Sequence, residues 1–420
     1  MTKIIDITKR VYSGGTPDTR KSEYWNGDIK WLSSGETRNN FIFDTDKKIT
    51  ELGVNNSSTK LASKGSIVMA CAGQGFTRGQ TSYLMDDMYI NQSVICIEPD
   101  DNKVDGLYLY YFFKNNYQLL RSLSNDHSSR GSITTAMIKD FEVNFPDIDI
   151  QKRISNILYS IDQKIELNNK INNNLYELSQ KIYNRWFVDF EYPISSNQTY
   201  KSNGGGFKEA DGLVVPDNFI VNKLDEICDC QNGHAFYKEG YDDSGLMVID
   251  LGNVSLQGNF IYTNADKYID RNRIPNEKFI VKKNDLVMIM TDRKATMDLL
   301  GKTAKIYEDK EYALNQRIYR IRPTINVNYV YSFLNSSLTL EKLKGLALGS
   351  VQKYINTNHI NDLKIVVPSA EIMNEYSKVV DPVFKRMEEN ILENRNLEIM
   401  RDTLLPKLMN GEIDLDNIEI

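Results

Sequence analysis

The chain has 420 residues, a net charge of −6, an apolar fraction of 41% and a charged fraction of 26%, a composition typical of a folded protein with more than one domain. No apolar run approaches the roughly 18 residues that cross a bilayer, and four cysteines are too few for a disulfide framework at this length. Both features predict a cytoplasmic protein without membrane contact. The acidic balance excludes a uniformly basic DNA clamp.

The elements predicted along the chain occur twice, displaced by about half of its length. The matched segments are, in order, Gly14 with Gly233, 64–69 with 283–288, 91–99 with 315–323, and 133–146 with 355–368. The displacement changes slightly from one matched segment to the next, which indicates loop insertions between repeated strands. The chain is therefore predicted to contain an internal repeat of one structural unit.

Each repeat begins with a mixed α+β domain. In the first, at 1–148, β-branched runs such as 66–69 and 94–97 are bounded by Gly, Ser and Asn, the pattern of strands joined by turns. An aromatic run at 107–114 predicts a helix on that sheet. The same order of strands and helix is predicted for the second domain, at 215–370.

A long helix is predicted after each domain, at 149–190 and at 371–420. Apolar residues in both recur at steps of three and four, the seam of a coiled coil. Two asparagines interrupt each seam at matching positions, namely Asn168 and Asn172 in the first helix and Asn390 and Asn394 in the second. A buried Asn at such a position fixes register, and pairing across the helices would satisfy its amide groups. Contact with a partner protein is the alternative role.

The sequence permits either orientation of the two helices relative to each other. The segment 191–214 between the first helix and the second domain contains Gly204, Gly205 and Gly206, the composition of a flexible linker. Such a linker would allow an antiparallel pair with the second domain at its far end. A parallel pair is also permitted by the sequence.

Patterns of catalytic and metal-binding residues are not found. The stretch Gly301–Thr303 lacks the earlier glycine of a phosphate-binding loop because position 296 is Thr296. Cys228 and Cys230 have no second cysteine pair, so free cysteines are favoured over a zinc site. With only three histidines, few side chains could act as general bases. We therefore predict a chain without catalytic residues or bound metal; a nuclease fragment with an unrecognised site is the alternative.

Four stretches carry a resemblance that covers essentially the whole chain. They are 24–31, 151–168, Trp186–Phe190 and 404–412. Together they resemble the specificity subunit of type I restriction-modification systems. The resemblance implies an α+β fold with two mixed α/β target-recognition domains, separated by two long helices packed as an antiparallel coiled coil in a pseudo-two-fold internal repeat. It also implies that each domain reads one half of a split asymmetric DNA site and that the helices set the spacer.

The resemblance also implies the partners. Double-stranded DNA would be bound together with modification subunits, which methylate adenine, and with restriction subunits, which are motor nucleases. The methyl donor, ATP and Mg are expected on those partners, and no cofactor on this chain. A non-catalytic scaffold that binds proteins, or an orphan DNA-binding fragment of a fused restriction-methylation enzyme, is the alternative.

Loops that follow early strands are implied to face the DNA groove. The candidates are Ser13, Gly14, Thr16, Ser33, Ser34, Arg78 in the loop Gln74–Arg78, Asn91 and Gln92 in the first domain, and Gly233, Asn253, Arg293, Lys294, Asn315 and Gln316 in the second. Arg and Lys suit guanine, and Asn and Gln suit adenine. The alternative is that Gly14 and Gly233 only form turns and that Asn91 and Asn315 cap backbone groups.

Charge is distributed unevenly along the second repeat. Residues 271–310 contain ten Lys or Arg and six Asp or Glu, whereas residues 371–415 contain six and ten. A basic surface is therefore expected on the second domain and an acidic one on the second helix. Because basic surface governs affinity for DNA, we expect the chain alone to bind DNA weakly.

Overall fold

The computed structural model describes residues 2–73, 76–125, 131–236, 241–262, 267–413 and 415. The chain divides into two compact units, unit 1 with Met1–Ile165 and Asn396–Ile420, and unit 2 with Glu166–Arg395. Within the described ranges no helix combines the length and the apolarity that a membrane span needs.

Unit 1 is built on two main β-sheets. Its strands are β1 (Thr2–Lys3), β2 (Thr8–Ser13), β3 (Trp25–Leu32), β4 (Phe41–Ile42), β5 (Lys47–Ile49), β6 (Lys60–Ala62), β7 (Ile67–Ala70), β8 (Thr81–Leu84), β9 (Met88–Ile90), β10 (Val94–Pro99) and β11 (Glu142–Val143). Its short helices are α1 (Glu51–Asn55), α2 (Gly106–Asn115), α3 (Tyr117–Asn125) and α4 (Thr135–Lys139), with 3-10 turns at Ile4–Ile7, Ser22–Tyr24 and Ser34–Arg38. One sheet has the order β2-β10-β7-β8-β4, the other β5-β3-β9-β6, and β1 pairs with β11.

Unit 2 contains more short strands and hairpins. Its strands are β12 (Pro193–Ser195), β13 (Gln198–Thr199), β14 (Phe207–Ala210), β15 (Leu213–Pro216), β16 (Ile220–Lys223), β17 (Cys228–Asn232), β18 (Leu246–Ile249), β19 (Lys267–Ile269), β20 (Ile280–Val281), β21 (Leu286–Ile289), β22 (Thr291–Asp292), β23 (Thr303–Lys305), β24 (Tyr312–Leu314), β25 (Ile318–Pro323), β26 (Lys353–Tyr354) and β27 (Lys364–Val367). Its short helices are α6 (Leu224–Ile227), α7 (Val327–Leu334), α8 (Ser337–Gly345) and α9 (Thr357–Asn361), with 3-10 turns at Lys201–Asn203, Leu251–Asn253, Arg271–Arg273 and Glu277–Phe279.

The internal repeat is confirmed strand by strand. The order β17-β25-β21-β23 in unit 2 corresponds to β2-β10-β7-β8 in unit 1, and β19-β18-β24-β20 corresponds to β5-β3-β9-β6. Each of the latter sheets contains one parallel pair at the same place, β3 with β9 and β18 with β24. The predicted α+β class is therefore correct for both domains.

Alternation of side chains explains how one sheet of each unit contributes to two cores. In unit 1, Met69 and Ile95 belong to the core that contains the helices, whereas their neighbours Val68 and Val94 belong to a separate core with the second sheet. Successive strand residues point to opposite faces, so a fully buried strand serves both cores. Unit 2 repeats this arrangement around β21 and β25.

Two long helices complete the fold, α5 (Ile148–Tyr183) and α10 (Ala370–Met409). Within unit 2, Asn168 lies beside Asn394 whereas Asn172 lies beside Asn390. Residue numbers thus rise along one helix as they fall along the other. The antiparallel arrangement is confirmed and the parallel alternative is excluded.

The segment 191–214, predicted as a linker, forms two β-hairpins. Strands β12 and β13 form one hairpin and β14 and β15 another. The ring of Tyr192 stacks on those of Tyr200 and Phe219, with centroids 4.8 and 5.3 Å apart. Three glycines suggested flexibility, but Gly204 supplies a left-handed turn residue at φ 78° and the aromatic rings supply a core. The first long helix also ends earlier than predicted, in a π-helical turn at Asn184–Val188.

Candidate DNA interface

The first predicted DNA loop follows β2 in unit 1, and the equivalent loop of unit 2 follows β17. Both loops are held by a backbone hydrogen bond at the same point. In unit 1 the N–H of Gly15 donates to the carbonyl oxygen of Ile90, with N···O 3.0 Å. In unit 2 the N–H of His234 donates to the carbonyl oxygen of Leu314 at 2.9 Å. These pairs are equivalent under the sequence repeat. The loop after β2 is therefore joined to the end of a strand of the other sheet by a repeated backbone bond.

The glycine before each of these donors is required by close packing. A Cβ atom on Gly14 would lie 1.9 Å from the carbonyl oxygen of Ile90, and one on Gly233 would lie 1.9 Å from that of Asn315. Real Cβ atoms do not approach an oxygen so closely, because interiors are packed at van der Waals distance. Both positions therefore require glycine for close packing, and neither glycine has the positive φ of a left-handed turn residue.

Two tryptophan side chains donate hydrogen bonds to backbone carbonyl oxygens of the loop after β2 in unit 1. The indole N–H of Trp31 donates to the carbonyl oxygen of Gly15 and that of Trp25 to Asp18, both at 3.3 Å. The two rings pack edge to face with centroids 5.0 Å apart. The Trp pair carried part of the family resemblance, but its role as a support for this loop was not predicted from the sequence.

Within this loop, the side chains of Thr16 and Gln92 are brought together. The hydroxyl of Thr16 donates to the amide oxygen of Gln92, whose side chain is exposed. Asn91 differs, because it is buried and its amide oxygen accepts the N–H of Ser93 at 2.9 Å. Gln92 is therefore presented to solvent beside the loop, whereas Asn91 caps a backbone turn.

Ser33 and Ser34 lie at the start of a 3-10 turn. Both the N–H and the hydroxyl of Ser33 donate to Glu36, at 2.9 and 2.8 Å, a reciprocal arrangement typical of a helix start. The carbonyl oxygen of Ser34 accepts the hydroxyl of Thr37. These contacts organise the turn itself, and both serines are half-buried in it.

Asn253 is buried in the corresponding region of unit 2. Only 1% of its surface is exposed. Its amide oxygen accepts the N–H of Asp250 at 2.9 Å and its amide nitrogen donates to the carbonyl oxygen of Ile261 at 3.1 Å. A side chain used in this way stabilises the loop rather than reaching beyond it.

The two predicted arginines differ in exposure. Arg78 is 7% exposed, and its carbonyl oxygen accepts a bond from the guanidinium of Arg121 at 3.0 Å. Its own guanidinium packs against Gly131, where a Cβ would lie 1.5 Å from Nη1. Gln74 and Gly75 of the same predicted loop lie outside the described residues. Arg293, by contrast, is exposed.

Arg293 and Lys294 belong to a loop that a buried carboxylate organises. The two carboxylate oxygens of Asp292 accept the N–H groups of Lys294 and Leu299, each at 2.8 Å. The Lys294 ammonium lies 3.8 Å from Asp298 and stays largely exposed. The loop thus presents two cations on a fixed backbone.

Asn315 and Gln316 follow β24. The carbonyl oxygen of Asn315 accepts the N–H of Ile318, and the N–H of Gln316 donates to His234 at 2.9 Å. The side chain of Gln316 is exposed and that of Asn315 half-buried. The two predicted segments of unit 2, at 232–234 and 315–316, therefore meet as Ser13–Thr16 and Gln92 do in unit 1.

The four seam asparagines form two equivalent pairs in unit 2. The amide nitrogen of Asn168 donates to Asn394 at 2.9 Å, and that of Asn390 to Asn172 at 2.8 Å. Since Asn390 is the counterpart of Asn168 under the repeat, and Asn394 that of Asn172, donor and acceptor recur at matched positions. The predicted pairing is present, and the register role remains a prediction.

A buried ion pair also joins the two helices within unit 1. The guanidinium of Arg401 lies 2.8 Å from a carboxylate oxygen of Asp162, and both side chains are nearly inaccessible. The hydroxyl of Tyr111, in α2, donates to the other oxygen of Asp162 at 2.7 Å. Sequence reasoning missed this triad because charged residues in a helix are usually solvated.

Lys305 is a buried cation in unit 2. Its ammonium donates to the amide oxygen of Asn328 at 2.9 Å, and Asn328 in turn donates to Asp381 of α10 at 2.8 Å. Burial lowers the pKa of Lys305 to about 8, because desolvation disfavours its charged form.

All four cysteines are free thiols. Burial raises the pKa of Cys96 and of Cys230 to about 12 and also raises the pKa of Cys71 and Cys228. No group of three or more His, Cys, Asp or Glu side chains in the described part of the chain could hold a metal ion.

The model of the type I restriction modification DNA specificity domain family matches residues 2–177 and 216–398. The chain belongs to this family. The two matches cover both recognition domains and most of both long helices, and family membership assigns DNA specificity, rather than catalysis, to the chain. The resemblance inferred from the sequence is thereby confirmed.

Known specificity subunits are similar to this chain over most of its length. The MjaIX specificity subunit of a type I restriction enzyme from Methanocaldococcus jannaschii is 24% identical over 422 residues, which is 99% of this chain and 94% of the relative. The HindI specificity subunit from Haemophilus influenzae is 24% identical, with 78% and 82% covered. The crystal structure of a type I S subunit from M. genitalium shares the fold, with a TM-score of 0.54 at 14% identity, and 97% and 95% of the chains covered.

Proposed function

We propose that this chain is the DNA-sequence-specificity subunit of a type I restriction-modification complex and that each recognition domain reads one half of a bipartite asymmetric site. The observation that carries the proposal is the repeated strand order with different loop chemistry. In the loop after β2, unit 1 has Gly15 and Thr16. In the equivalent loop after β17, unit 2 has His234 and Ala235. One fold that presents two sets of side chains suits two different half-sites.

The exposed candidates are the ones that best suit DNA contact. Gln92 and Gln316 have the side-chain chemistry of base contacts, as does the half-buried Thr16 beside Gln92, whereas Arg293 and Lys294 suit phosphates or guanine. We place Ser13, Ser33 and Ser34 at the backbone of the DNA. Of the remaining candidates, Gly14, Gly233, Asn91, Asn253, Asn315 and Arg78 are assigned to shaping the loops.

The paired helices are proposed to set the length of the non-specific spacer and to dock the other subunits. Support comes from the buried Asn pairs and from the Asp162–Arg401 ion pair, which disfavour sliding of one helix past the other. The acidic balance of residues 371–415 suits a basic partner surface.

The partners are proposed to supply the chemistry. Modification subunits would bind the methyl donor and methylate adenine, and restriction subunits would use ATP and Mg to translocate and cleave DNA. This chain would bind double-stranded DNA and none of these cofactors, in the cytoplasm.

The direct test is footprinting of the complex assembled from this chain and its modification subunits. We expect protection of two short half-sites separated by a constant spacer. One continuous protected site, or no protection in the presence of modification subunits, would contradict the proposal. Metal-dependent cleavage by the purified chain alone would favour the nuclease alternative.

Charge reversal separates DNA recognition from a protein-binding scaffold. The double variant Arg293→Glu and Lys294→Glu should weaken DNA binding at least tenfold and reduce the salt slope by about two, because each phosphate contact contributes about 0.9 to that slope. Lys208→Glu, in the β14–β15 hairpin, is the matched control and should leave both quantities unchanged. An unchanged affinity and slope in the double variant would favour the scaffold.

A further inference from the structure

A short β-hairpin projects from unit 2 next to the Arg293–Lys294 loop. Leu348 and Tyr354 exchange two backbone hydrogen bonds, of 2.8 and 3.0 Å. Gly349 turns the chain at φ 89°, and a Cβ there would lie 2.2 Å from the carbonyl oxygen of Gln352. The 348–354 hairpin is therefore a tight, backbone-bonded turn, and its tip is Val351.

The tip of the 348–354 hairpin is unusually apolar for an exposed element. Val351 is 90% exposed, and Leu348 and Tyr354 beside it are 42% and 43% exposed. Single exposed apolar residues are common, but a group of them on a protruding turn indicates a binding surface. The tip makes no contribution to the core, so its side chains are available to a ligand.

Cations are close to this apolar tip in the sequence, and two more lie on the loop next to strand β26. Residues 342–354 contain Lys342, Lys344 and Lys353 and no Asp or Glu. Strand β26 pairs with β22, with Lys353 opposite Asp292, so the hairpin adjoins the loop of Arg293 and Lys294. The carboxylate of Asp292 is occupied by two backbone N–H groups.

An apolar tip between cations matches the surface of a DNA duplex. Lys and Arg attract the phosphates, whereas an apolar side chain contacts thymine methyl groups or a base step inside a groove. A partner protein that docked here would need an acidic rim around an apolar pocket, and DNA offers this combination of charge and apolar base surface along its whole length. Given the proposed function, DNA is the better-matched occupant.

We propose that the 348–354 hairpin places Val351 against the bases of the half-site read by unit 2, while Arg293 and Lys294 contact the flanking phosphates. This inference rests on the proposed function. It adds an apolar base contact that the sequence did not indicate. Such a contact releases no counterions, so it should contribute to affinity without contributing to the salt slope.

The experiment compares two valines in the assembled complex of this chain with its modification subunits. Val351→Ser is the test variant, and Val214→Ser, at a 66% exposed position of β15, is the matched control. DNA affinity is measured for the bipartite site and for an unrelated duplex over a range of salt concentrations, from about 50 to about 200 mM. Thermal unfolding is followed for both variants.

We expect Val351→Ser to weaken binding to the bipartite site about fivefold to tenfold, from the loss of buried methyl groups. The salt slope, the unfolding temperature and the affinity for the unrelated duplex should stay as in the unmodified complex. Val214→Ser should change nothing. The Arg293→Glu and Lys294→Glu variant should instead lower the slope and weaken binding to both duplexes.

Three results would overturn the inference. They are equal affinities of the two valine variants, a changed salt slope in Val351→Ser, and loss of modification subunits from the Val351→Ser complex, which would identify the hairpin as a protein contact. If the unmodified complex itself shows no preference for a bipartite site, the proposed function fails first. That outcome is recognised before any variant is compared.

Discussion

Asn172 and Asn390 face each other across the two long helices, with the amide nitrogen of Asn390 2.8 Å from the amide oxygen of Asn172 and both side chains buried. Their counterparts under the repeat, Asn394 and Asn168, make the same bond. A polar pair in an apolar seam costs stability, but a shift of the helices to another register would break both of these hydrogen bonds.

Removal of one partner should therefore cost more than removal of both. We expect Asn390→Leu to lower the free energy of unfolding by about 1–3 kcal/mol, because it leaves the buried amide of Asn172 with fewer partners. The double variant Asn172→Leu and Asn390→Leu should recover most of this loss. Urea unfolding of the four members of the cycle measures the coupling, with exposed Asn173→Leu as control. Additive effects would refute the pairing.

The Asp162–Arg401 pair should be far more sensitive than a surface pair. Replacement of Arg401 by Met leaves a buried carboxylate without its cation, and we expect a loss of about 3–5 kcal/mol in the free energy of unfolding. Lys378→Met breaks an exposed pair with Glu375 and should cost less than about 1 kcal/mol. Chemical denaturation measures both. Equal losses of stability in the two variants would show that the buried ion pair contributes no more than the exposed one.

The two repeated glycines should tolerate no side chain. Gly14→Ala and Gly233→Ala each place a methyl group on a backbone oxygen, and we expect each to cost about 3 kcal/mol. Each should also impair recognition of one half-site only. Gly345→Ala is the control, because no atom lies within 4 Å of its added Cβ. Thermal unfolding and footprinting of both half-sites check the prediction, and wild-type behaviour of either variant would contradict it.

Stability of unit 2 should depend on the charge of Lys305. Its pKa is about 8 in the folded chain and about 10.4 in an unfolded one. Between these values the unfolded state binds more protons, so the free energy of unfolding should rise with pH. The rise attributable to Lys305 should be about 1–2 kcal/mol from pH 8 to 9.5.

Comparison with Lys305→Met isolates this contribution. Tyrosines and cysteines with raised pKa values act in the opposite direction at high pH, but they are common to both proteins and cancel in the difference. Denaturation at pH 7, 8, 9 and 9.5 provides the measurement. Parallel pH profiles for the two proteins would rule out the burial of a charged Lys305.

Periodicity predicted much of this architecture. Apolar residues at steps of three and four identified α5 and α10, and the Asn positions of one helix matched those of the other under the repeat. Alternation and turn residues identified β7, β10, β21 and β25. These signals are local, so they survive in a single sequence.

What depends on contacts between distant residues could not be predicted. The sequence does not show that Asp162 meets Arg401, which lies in the other long helix, or that Asn253 and Arg78 turn inward. The hairpins of segment 191–214 were not predicted either, because the stacking of Tyr192 on Tyr200 is a contact that its glycines do not indicate. The exposure of Val351 likewise could not be predicted, because the sequence does not show which residue lies at the tip of the 348–354 hairpin.

The environment of the native thiols has a practical consequence for labelling. Because the pKa values of Cys71, Cys96, Cys228 and Cys230 are all raised, little reactive thiolate exists at neutral pH. A cysteine introduced at an exposed position such as Val351 should outcompete them for a maleimide dye. The chain can thus carry a single fluorescent reporter without prior removal of its own cysteines.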